Sequence, residues 1–479
     1  MSGIRSYWQN YIDGRWVDSA SGRRIPIEDP ASGQQIAEIA RAEAADVDVA
    51  VEAARRAAAG RALYDMKPEK RCQLLLAIAR EVRALADEIV PVMTADNGKN
   101  LEFSRDEVEG TARYFEYYAG MADKIHGRLI PLGDGFVDYT QLVPFGVSAQ
   151  VVPWNFPLEL AARSLAPALA GANAVVIKSP ELSPLAICYL ATAAERAGLP
   201  KGYLNIICGY GNEAGEALTG HSGIDHIVFT GSVATGRRIL HKAADRVVPC
   251  VMEMGGKSAG IVYPDADLEA TAKSAAIGIL AHAGQVCSAG SRLIVHESIH
   301  DELVERIVAV ARGFTMGPGS EGHFLTPVIS RAQLEKVEGY CRSGIQAGAK
   351  PVIGGKRAER AGYFMPPTVF TGVTPDMLIS REEIFGPVLS ILTFKEPEQS
   401  LAIANDSDYG LAAGVYTRDL KRAHWTADRL EAGTVFINQW FVGGNEVPFG
   451  GFKRSGFGRE KGVEALANYV QTRNIGIRL

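Results

Sequence analysis

The chain has 479 residues, of which 47% are hydrophobic and 22% charged, and a formal net charge of -5. One hydrophobic core does not hold that length, so two or three domains are expected in a globular protein of ordinary composition. The small net charge, without a long run of one sign, excludes a nucleic-acid or polyanion surface, and no apolar run reaches the roughly 18 residues of a membrane span. No apolar targeting stretch opens the chain. The six cysteines, at 72, 188, 208, 250, 287 and 341, form no C-x-x-C pair. The common zinc and dithiol signatures are thus missing, no metal site is expected, and a reducing cytoplasmic setting fits best.

In chain order, residues 7–40 read as short strands and turns, with Asp13-Gly14 between apolar flanks as a hairpin signal. Helical spacing follows near 45–62, 67–95 and 104–125, the last expected to stop at His126-Gly127. Residues 128–152 are rich in Val, Tyr and Thr and suggest an extended ribbon. From Val147 strands and helices alternate. Strands are expected at 147–152, 174–178, 203–208, 225–230 and 247–253, and helices at 158–170, 184–197, 214–218 and 233–244. A second series opens with a strand at 258–262. Helices follow near 267–282, 298–313, 331–347, 397–405 and 418–430, and strands near 291–296, 366–371, 387–393, 411–416 and 433–438. Residues 474–479 read as a last strand, and Ser330 with Gln333 reads as a capping box. Repeated βα units imply parallel sheets covered by helices, with ligands at the carboxyl ends of the strands.

The chemistry concentrates in residues 251–292. Glu253 ends an apolar run against Gly255-Gly256, and Cys287 lies in the small-residue loop His-Ala-Gly-Gln-Val-Cys-Ser-Ala-Gly. A strand-end carboxylate and a loop thiol are the minimum for covalent catalysis, although for two such residues taken alone an inert buried thiol and a surface turn are the plainer reading. Other motifs compete. Gly256-Lys257-Ser258-Ala259-Gly260 matches the G-x-S-x-G nucleophile elbow, which needs a strand before the serine and a helix after it; Ile-Val-Tyr-Pro follows instead. Gly231 to Gly236 has P-loop glycine spacing, but Arg237-Arg238 replace the Lys-Ser/Thr pair. Gly209-Tyr-Gly211 through Gly215 has one residue too many for the dinucleotide fingerprint and reads as a tight turn into a helix.

Taken together, the loop sequences resemble the NAD(P)-dependent aldehyde dehydrogenase superfamily over nearly the whole chain. The resemblance rests on Pro153-Trp154-Asn155-Phe156-Pro157, Lys178-Ser179-Pro180-Glu181, Phe229-Thr230-Gly231-Ser232 and Glu253-Met254-Gly255-Gly256-Lys257. It continues through Gly284-Gln285-Val286-Cys287, Glu382 to Pro387, Pro448-Phe449-Gly450-Gly451 and Ser455 to Glu460, all in one order. It implies oxidation of an aldehyde to an acid: Cys287 as nucleophile, Asn155 and the Cys287 N–H as oxyanion donors, and Glu253 as the base that activates water for thioester hydrolysis. Asn155 also reads as a helix N-cap. For the cofactor the resemblance implies NAD, with NADP disfavoured by the Glu181 carboxylate. Lys178 and Glu181 would hold the adenosine ribose, Gly231 and Ser232 the pyrophosphate, and Glu383 the nicotinamide ribose, with Trp154, Gly211 and Phe385 nearby. Two departures stand out: Ser-Pro follows Lys178 where the family commonly has Pro and a small residue, and Met254 replaces the usual Leu.

For the substrate, Arg163 resembles a carboxylate clamp found in relatives acting on succinic semialdehyde, with pairing to Glu159 or another acid as the alternative. Phe156, Leu160, His282, Trp440, Phe441 and Phe449 are expected to form an apolar, largely aromatic wall. That combination favours a semialdehyde or polar-tailed aldehyde slightly over a broad aromatic or aliphatic range. The resemblance implies an α/β fold with two parallel-sheet domains: a Rossmann-like cofactor domain (1–122 and 145–253), a catalytic domain (254–455), and a small oligomerisation element (123–144 and 456–479). A homodimer or homotetramer is expected, because edge-like strands are buried by pairing between subunits. Two other functions are separable by assay. A serine hydrolase at Ser258 would work without NAD, and a binding protein on this fold would usually have lost the nucleophile.

Overall fold

The computed structural model describes residues 4–479. Two large twisted sheets dominate. The first has eight strands in the order Gly456–Phe457, Cys250–Met254, His226–Gly231, Val147–Val151, Ala174–Ser179, Leu204–Cys208, Asn10–Ile12, Arg15–Val17. Its five central strands are parallel, and the strands at both edges pair antiparallel. The second has seven strands in the order Lys350–Ile353, Thr368–Thr371, Val388–Phe394, Arg292–His296, Ala259–Val262, Ala412–Tyr416, Thr434–Ile437. It is parallel except at Lys350–Ile353. The central strands are buried on both faces, which is why they read as continuous apolar runs rather than alternating ones.

In the first sheet the chain runs outward from Val147–Val151 through Ala174–Ser179 and Leu204–Cys208. It then crosses back to place His226–Gly231 on the other side of Val147–Val151. The loops after these two strands therefore diverge and open a crevice at their carboxyl ends, the usual ligand position in such sheets. Helices cover both faces. Side chains from alternate positions of the second sheet separate into two cores: Ile261 and Ile294 face one, and Val262, Leu293 and Val295 the other.

The expected hairpin at Asp13-Gly14 forms, with both residues at positive φ (52° and 73°), as a tight hairpin turn requires. The helix expected over 67–95 is two, Pro68–Ala84 and Ala86–Asn97, broken at Leu85 where ψ is 1°. The next helix, Leu101–Ala119, starts earlier than expected because the Asn100 side chain caps it, accepting from Phe103 N at 2.8 Å. It ends at Gly120 rather than at His126-Gly127. Ser330 caps Arg331–Gln346 by accepting from Gln333 N, but the Gln333 amide does not close a box; it donates to the Ile384 and Phe385 carbonyls. The tail is longer than expected: Val470–Arg478 pairs along Phe136–Pro144, and Leu129–Ile130 joins to make a three-stranded sheet. Residues 456–469 do not belong to that sheet. Gly456–Phe457 edges the eight-stranded sheet, Gly462–Ala467 is a helix, and Glu460 is fully buried.

The N-terminal helices do more than cover the first sheet. The Lys99 ammonium and the Glu107 carboxylate form a buried ion pair. Lys99 also donates to the Asn155 carbonyl at 3.0 Å, and Glu107 accepts from Leu158 N and Glu159 N at 2.9 and 3.2 Å. The first turn of Pro157–Ala170 thus has a carboxylate on its free N–H groups. Removing one partner of a fully buried pair typically costs about 3–5 kcal/mol. Lys99→Met is expected to lower unfolding free energy by about that amount in a denaturant titration. A midpoint equal to wild type would show that the pair contributes nothing.

Candidate active site

A cavity of about 200 Å³ lies at the crevice, between the carboxyl ends of the two sheets. Each wall comes from a strand end or the loop after it. Trp154 and Asn155 follow Val147–Val151, Thr230 and Gly231 end His226–Gly231, and Glu253 and Met254 end Cys250–Met254. Cys287 enters from the loop after Leu268–Leu280, Glu383 and Phe385 from the segment before Val388–Phe394, and Phe449 from the loop after Thr434–Ile437. Leu160 and Arg163 reach in from the first turns of Pro157–Ala170, and Ser232, at the N-cap of Val233–Arg246, borders the cavity.

The Cys287 loop is held by its neighbours rather than by regular structure. His282 and Ala283 adopt left-handed backbone (φ 49° and 53°), and Gly284 continues it at 72°. A side chain at Gly284 would collide with the Gly386 carbonyl, so glycine is required there. Gln285, fully buried, is the hub. Its amide nitrogen donates to the His282 carbonyl at 3.2 Å and its amide oxygen accepts from Ile329 N at 2.8 Å. Its own carbonyl accepts from the Asn155 side-chain amide at 2.9 Å. Asn155 is tied on its other side through Lys99, and the Trp154 carbonyl accepts from the Asn97 amide at 2.7 Å. Loop and strand end are thereby locked to each other.

The electrostatics are dominated by burial. Glu253 is buried and neither carboxylate oxygen has a protein partner, so burial pushes its pKa well above the usual range, opposed by Arg163. Burial likewise pushes the Cys287 thiol up to about 11, opposed by Arg163 and by the Ser288 N–H and reinforced by Glu383 and Glu253. Glu383 is raised to about 7 by burial, opposed by Lys336, the Gly256 N–H at 3.2 Å, and Lys257. Burial works against the Arg163 charge, but Glu460 and Glu253 hold it protonated. Its guanidinium lies 3.2 Å from Glu460, donates to Thr230 Oγ1 at 3.0 Å, and sits 5.7 Å from the Phe449 ring centre.

Several expected site residues lie elsewhere. Phe156 does not line the cavity; its ring packs against His282, with the Lys99 ammonium 4.2 Å from its centre. His282 is buried behind it with both ring nitrogens unpartnered, a consequence of the left-handed turn that carries it inward. Phe441 is turned outward at 39% exposure. Trp440 is packed beneath the Cys287 loop and donates to the Ser288 carbonyl at 2.9 Å, so it supports that loop rather than forming a substrate wall. Arg163 faces the cavity, yet its ion pair is spent on Glu460, not on Glu159, so it is no free positive anchor. Lys178 and Glu181 pair with each other at 2.7 Å outside the central cavity, and Gly211 lines a smaller one of about 40 Å³ beside Thr235 and Arg238. Ser258 is buried with its hydroxyl unpartnered and leads straight into Ala259–Val262, so there is no strand–turn–helix elbow. Among the described residues no group of three or more His, Cys, Asp or Glu side chains gathers as for a metal ion, and no helix is long and apolar enough to cross a membrane.

Comparison with known proteins bears on what this constellation is. The family model described as aldehyde dehydrogenase family matches residues 16–475. The chain belongs to the aldehyde dehydrogenase family. It is 42% identical over 467 residues to a mitochondrial benzaldehyde dehydrogenase of Antirrhinum majus, covering 97% of this chain and 88% of that one. It superposes with TM-score 0.98 on the NAD+ complex of an aldehyde dehydrogenase from Bacillus cereus, at 38% identity, covering 100% of this chain and 98% of the other. An indole-3-acetaldehyde dehydrogenase in complex with NAD+ matches with TM-score 0.97 at 38% identity, covering 99% and 97%. The α/β architecture of two parallel sheets is that of these dehydrogenases, and the chain is accordingly an oxidoreductase acting on aldehydes.

Within this aldehyde dehydrogenase, several residues of the site were not singled out from sequence. Gln333 and Lys336 line the cavity from one face of Arg331–Gln346, where their spacing of three was readable but their target was not. Thr230 and Glu460 both stand in quoted motifs, but only the fold reveals them as the partners of Arg163. The raised Glu253 carboxyl has a direct consequence for stability. Below about pH 4 it is protonated in both folded and unfolded chains and contributes no pH dependence. As pH rises, the unfolded carboxyl ionises while the buried one does not, so the folded state loses stability until the folded pKa is passed. Glu253→Gln removes this loss. Its melting temperature relative to wild type is expected to rise with pH above about pH 4. A difference independent of pH would show that Glu253 ionises as freely folded as unfolded.

Proposed function

We propose that this enzyme oxidises an aldehyde to a carboxylic acid with NAD as acceptor, through a covalent intermediate on Cys287. The reading is carried by one observation: Cys287, Asn155 and Glu253 line the same cavity, and the Glu253 carboxylate there is buried without a protein partner. The Cys287 thiolate attacks the carbonyl carbon, and the oxyanion is held by the second Asn155 amide hydrogen, left free by the bond to Gln285, and by the Cys287 backbone N–H. NAD, when bound, supplies the hydride acceptor. Glu253 then takes a proton from the water that hydrolyses the Cys287 thioester, a task suited to a carboxyl that burial makes more basic than an exposed one.

The residues present fit a dinucleotide. Gly231, Ser232 and the free N–H groups of Val233–Arg246 offer an anion site at a helix N-terminus facing the cavity. The half-buried Glu383 carboxylate, seated on Gly255-Gly256 with one N–H partner, has remaining capacity to accept from ribose hydroxyls. Trp154 and Phe385, edge to face at 5.3 Å, offer an apolar surface beside Cys287. Lys178, near the end of the strand beside Val147–Val151, pairs with Glu181; a carboxylate at the adenosine ribose would repel a 2′-phosphate, favouring NAD over NADP. The resident NAD+ of the Bacillus cereus relative supports the same assignment.

For the substrate we favour an aromatic or aliphatic aldehyde over a semialdehyde. Arg163 is neutralised by Glu460, Leu160 and Phe449 are apolar, and the Antirrhinum and indole-3-acetaldehyde relatives act, by their names, on aromatic aldehydes. The division into cofactor, catalytic and oligomerisation parts, and assembly into a homodimer or homotetramer through the exposed edge of the three-stranded sheet, are part of the same proposal. A cytoplasmic location also belongs to it.

Two experiments test the chemistry. Cys287→Ala is expected to abolish NADH formation from any aldehyde while NAD binding, followed by fluorescence titration, stays near wild type; retained oxidation would overturn the nucleophile. Glu253→Gln is expected to give a burst of about one NADH per site and then slow turnover, as the thioester accumulates. Substrate class is tested by Arg163→Leu. With Arg163 paired to Glu460, KM is expected to change alike for ω-carboxylated and neutral aldehydes. A KM rise confined to the carboxylated ones would restore the clamp.

A further inference from the structure

Trp440 occupies a slot built for it. The indole is bordered by glycines of four separate segments: Gly260 in Ala259–Val262, Gly414 in Ala412–Tyr416, Gly278 in Leu268–Leu280, and Gly290 in the Cys287 loop. A Cβ at Gly414 would stand 2.5 Å from Cζ3 of the ring, at Gly278 3.1 Å from Cγ, and at Gly290 3.2 Å from Cε2. Contacts that close leave no room for any side chain at Gly414 and little at the others, so the ring is fixed in place. Its polar edge is fixed with it: Nε1–H donates to the Ser288 carbonyl at 2.9 Å. Gly290 N donates to the Gly278 carbonyl at 3.0 Å, so the same slot grips the loop at Ser288 and again two residues on.

We propose that Trp440 is a positioning residue for Cys287, its slotted indole holding the Ser288 carbonyl and thereby the orientation of the residue that follows the nucleophile. The proposal rests on the reading of Cys287 as nucleophile. The Ser288 N–H favours the Cys287 thiolate, against the burial that opposes ionisation. Nothing else among the described side chains hydrogen-bonds Ser288. A ring that only filled space would need no donor at that edge.

The test is the pH dependence of Cys287 alkylation by iodoacetamide in the full-length enzyme, read by peptide-resolved mass spectrometry because Cys72 and Cys250 are also partly exposed. Trp440→Phe removes the donor. Replacing Trp440 with benzothienylalanine removes the N–H at constant shape, so it keeps the fold where phenylalanine fails to. Gly414→Ala retains Trp440 but pushes the ring from its slot. Each is expected to slow alkylation about fivefold or more at neutral pH, the scale of one hydrogen bond, and to move its inflection to higher pH. The KM for NAD should stay at the wild-type value while kcat falls. Wild-type rate and pH profile in the benzothienylalanine enzyme would overturn the proposal. Absence of label on Cys287 in the wild-type enzyme would instead overturn the nucleophile assignment, and this proposal with it.

Discussion

The buried Lys99–Glu107 pair is the contact on which the site's geometry rests. Two charges taken out of water are costly, and they persist only where every remaining lone pair and proton is used. Here most are: Lys99 also donates to the Asn155 carbonyl, and Glu107 also takes the first N–H groups of Pro157–Ala170. The pair therefore fixes both ends of the strand-to-helix turn that carries Asn155. Asn155 in turn holds the Gln285 carbonyl two residues before Cys287. A line of hydrogen bonds runs from an N-terminal helix to the thiol loop of the second sheet, and it sets where the Asn155 amide stands relative to that loop.

The second constraint is charge balance around the cavity. Glu253 and Glu383 line it, and Arg163, which lines it too, is paired to the buried Glu460 behind. Arg163 is neutralised by Glu460, yet it still opposes the upward shifts of Glu253 and Cys287. Carboxyls and a thiol in low dielectric stay protonated until a neighbour or a ligand favours the charged form. Within the cavity, burial and the carboxylates of Glu383 and Glu253 oppose ionisation of the Cys287 thiol, and Arg163 and the Ser288 N–H favour it.

The Cys287 loop shows how a segment without regular structure is made rigid. Left-handed backbone at His282 and Ala283 is strained and persists only where surroundings over-determine it. Gln285, Asn155, Gly386 and Trp440 supply that over-determination from four different parts of the chain. Such strain is stored where a loop must present one group in one orientation.

Much of this protein was legible in the sequence. The strands at 174–179, 204–208 and 259–262 announce themselves as unbroken apolar runs because both their faces are buried. The loops that follow carry the family's motifs, and those motifs single out Cys287, Glu253, Asn155, Glu383 and Phe449, all of which line one cavity. Local spacing encodes strands, helices and caps, since neighbours in sequence decide them. What it does not encode is which way a side chain faces once the chain has crossed itself. Trp440 and Phe441 are adjacent, yet one fills a slot of glycines drawn from segments up to 180 residues away and the other meets solvent. Arg163 read as a free anchor because its acid, Glu460, lies almost 300 residues on, and Glu159, four residues back on the same helix, was the only acid that local spacing offered. The sequence by itself determined the elements and the chemistry of their ends. Only the tertiary structure decided which charges are spent on each other and which remain for a substrate, because that depends on contacts between segments far apart in the chain.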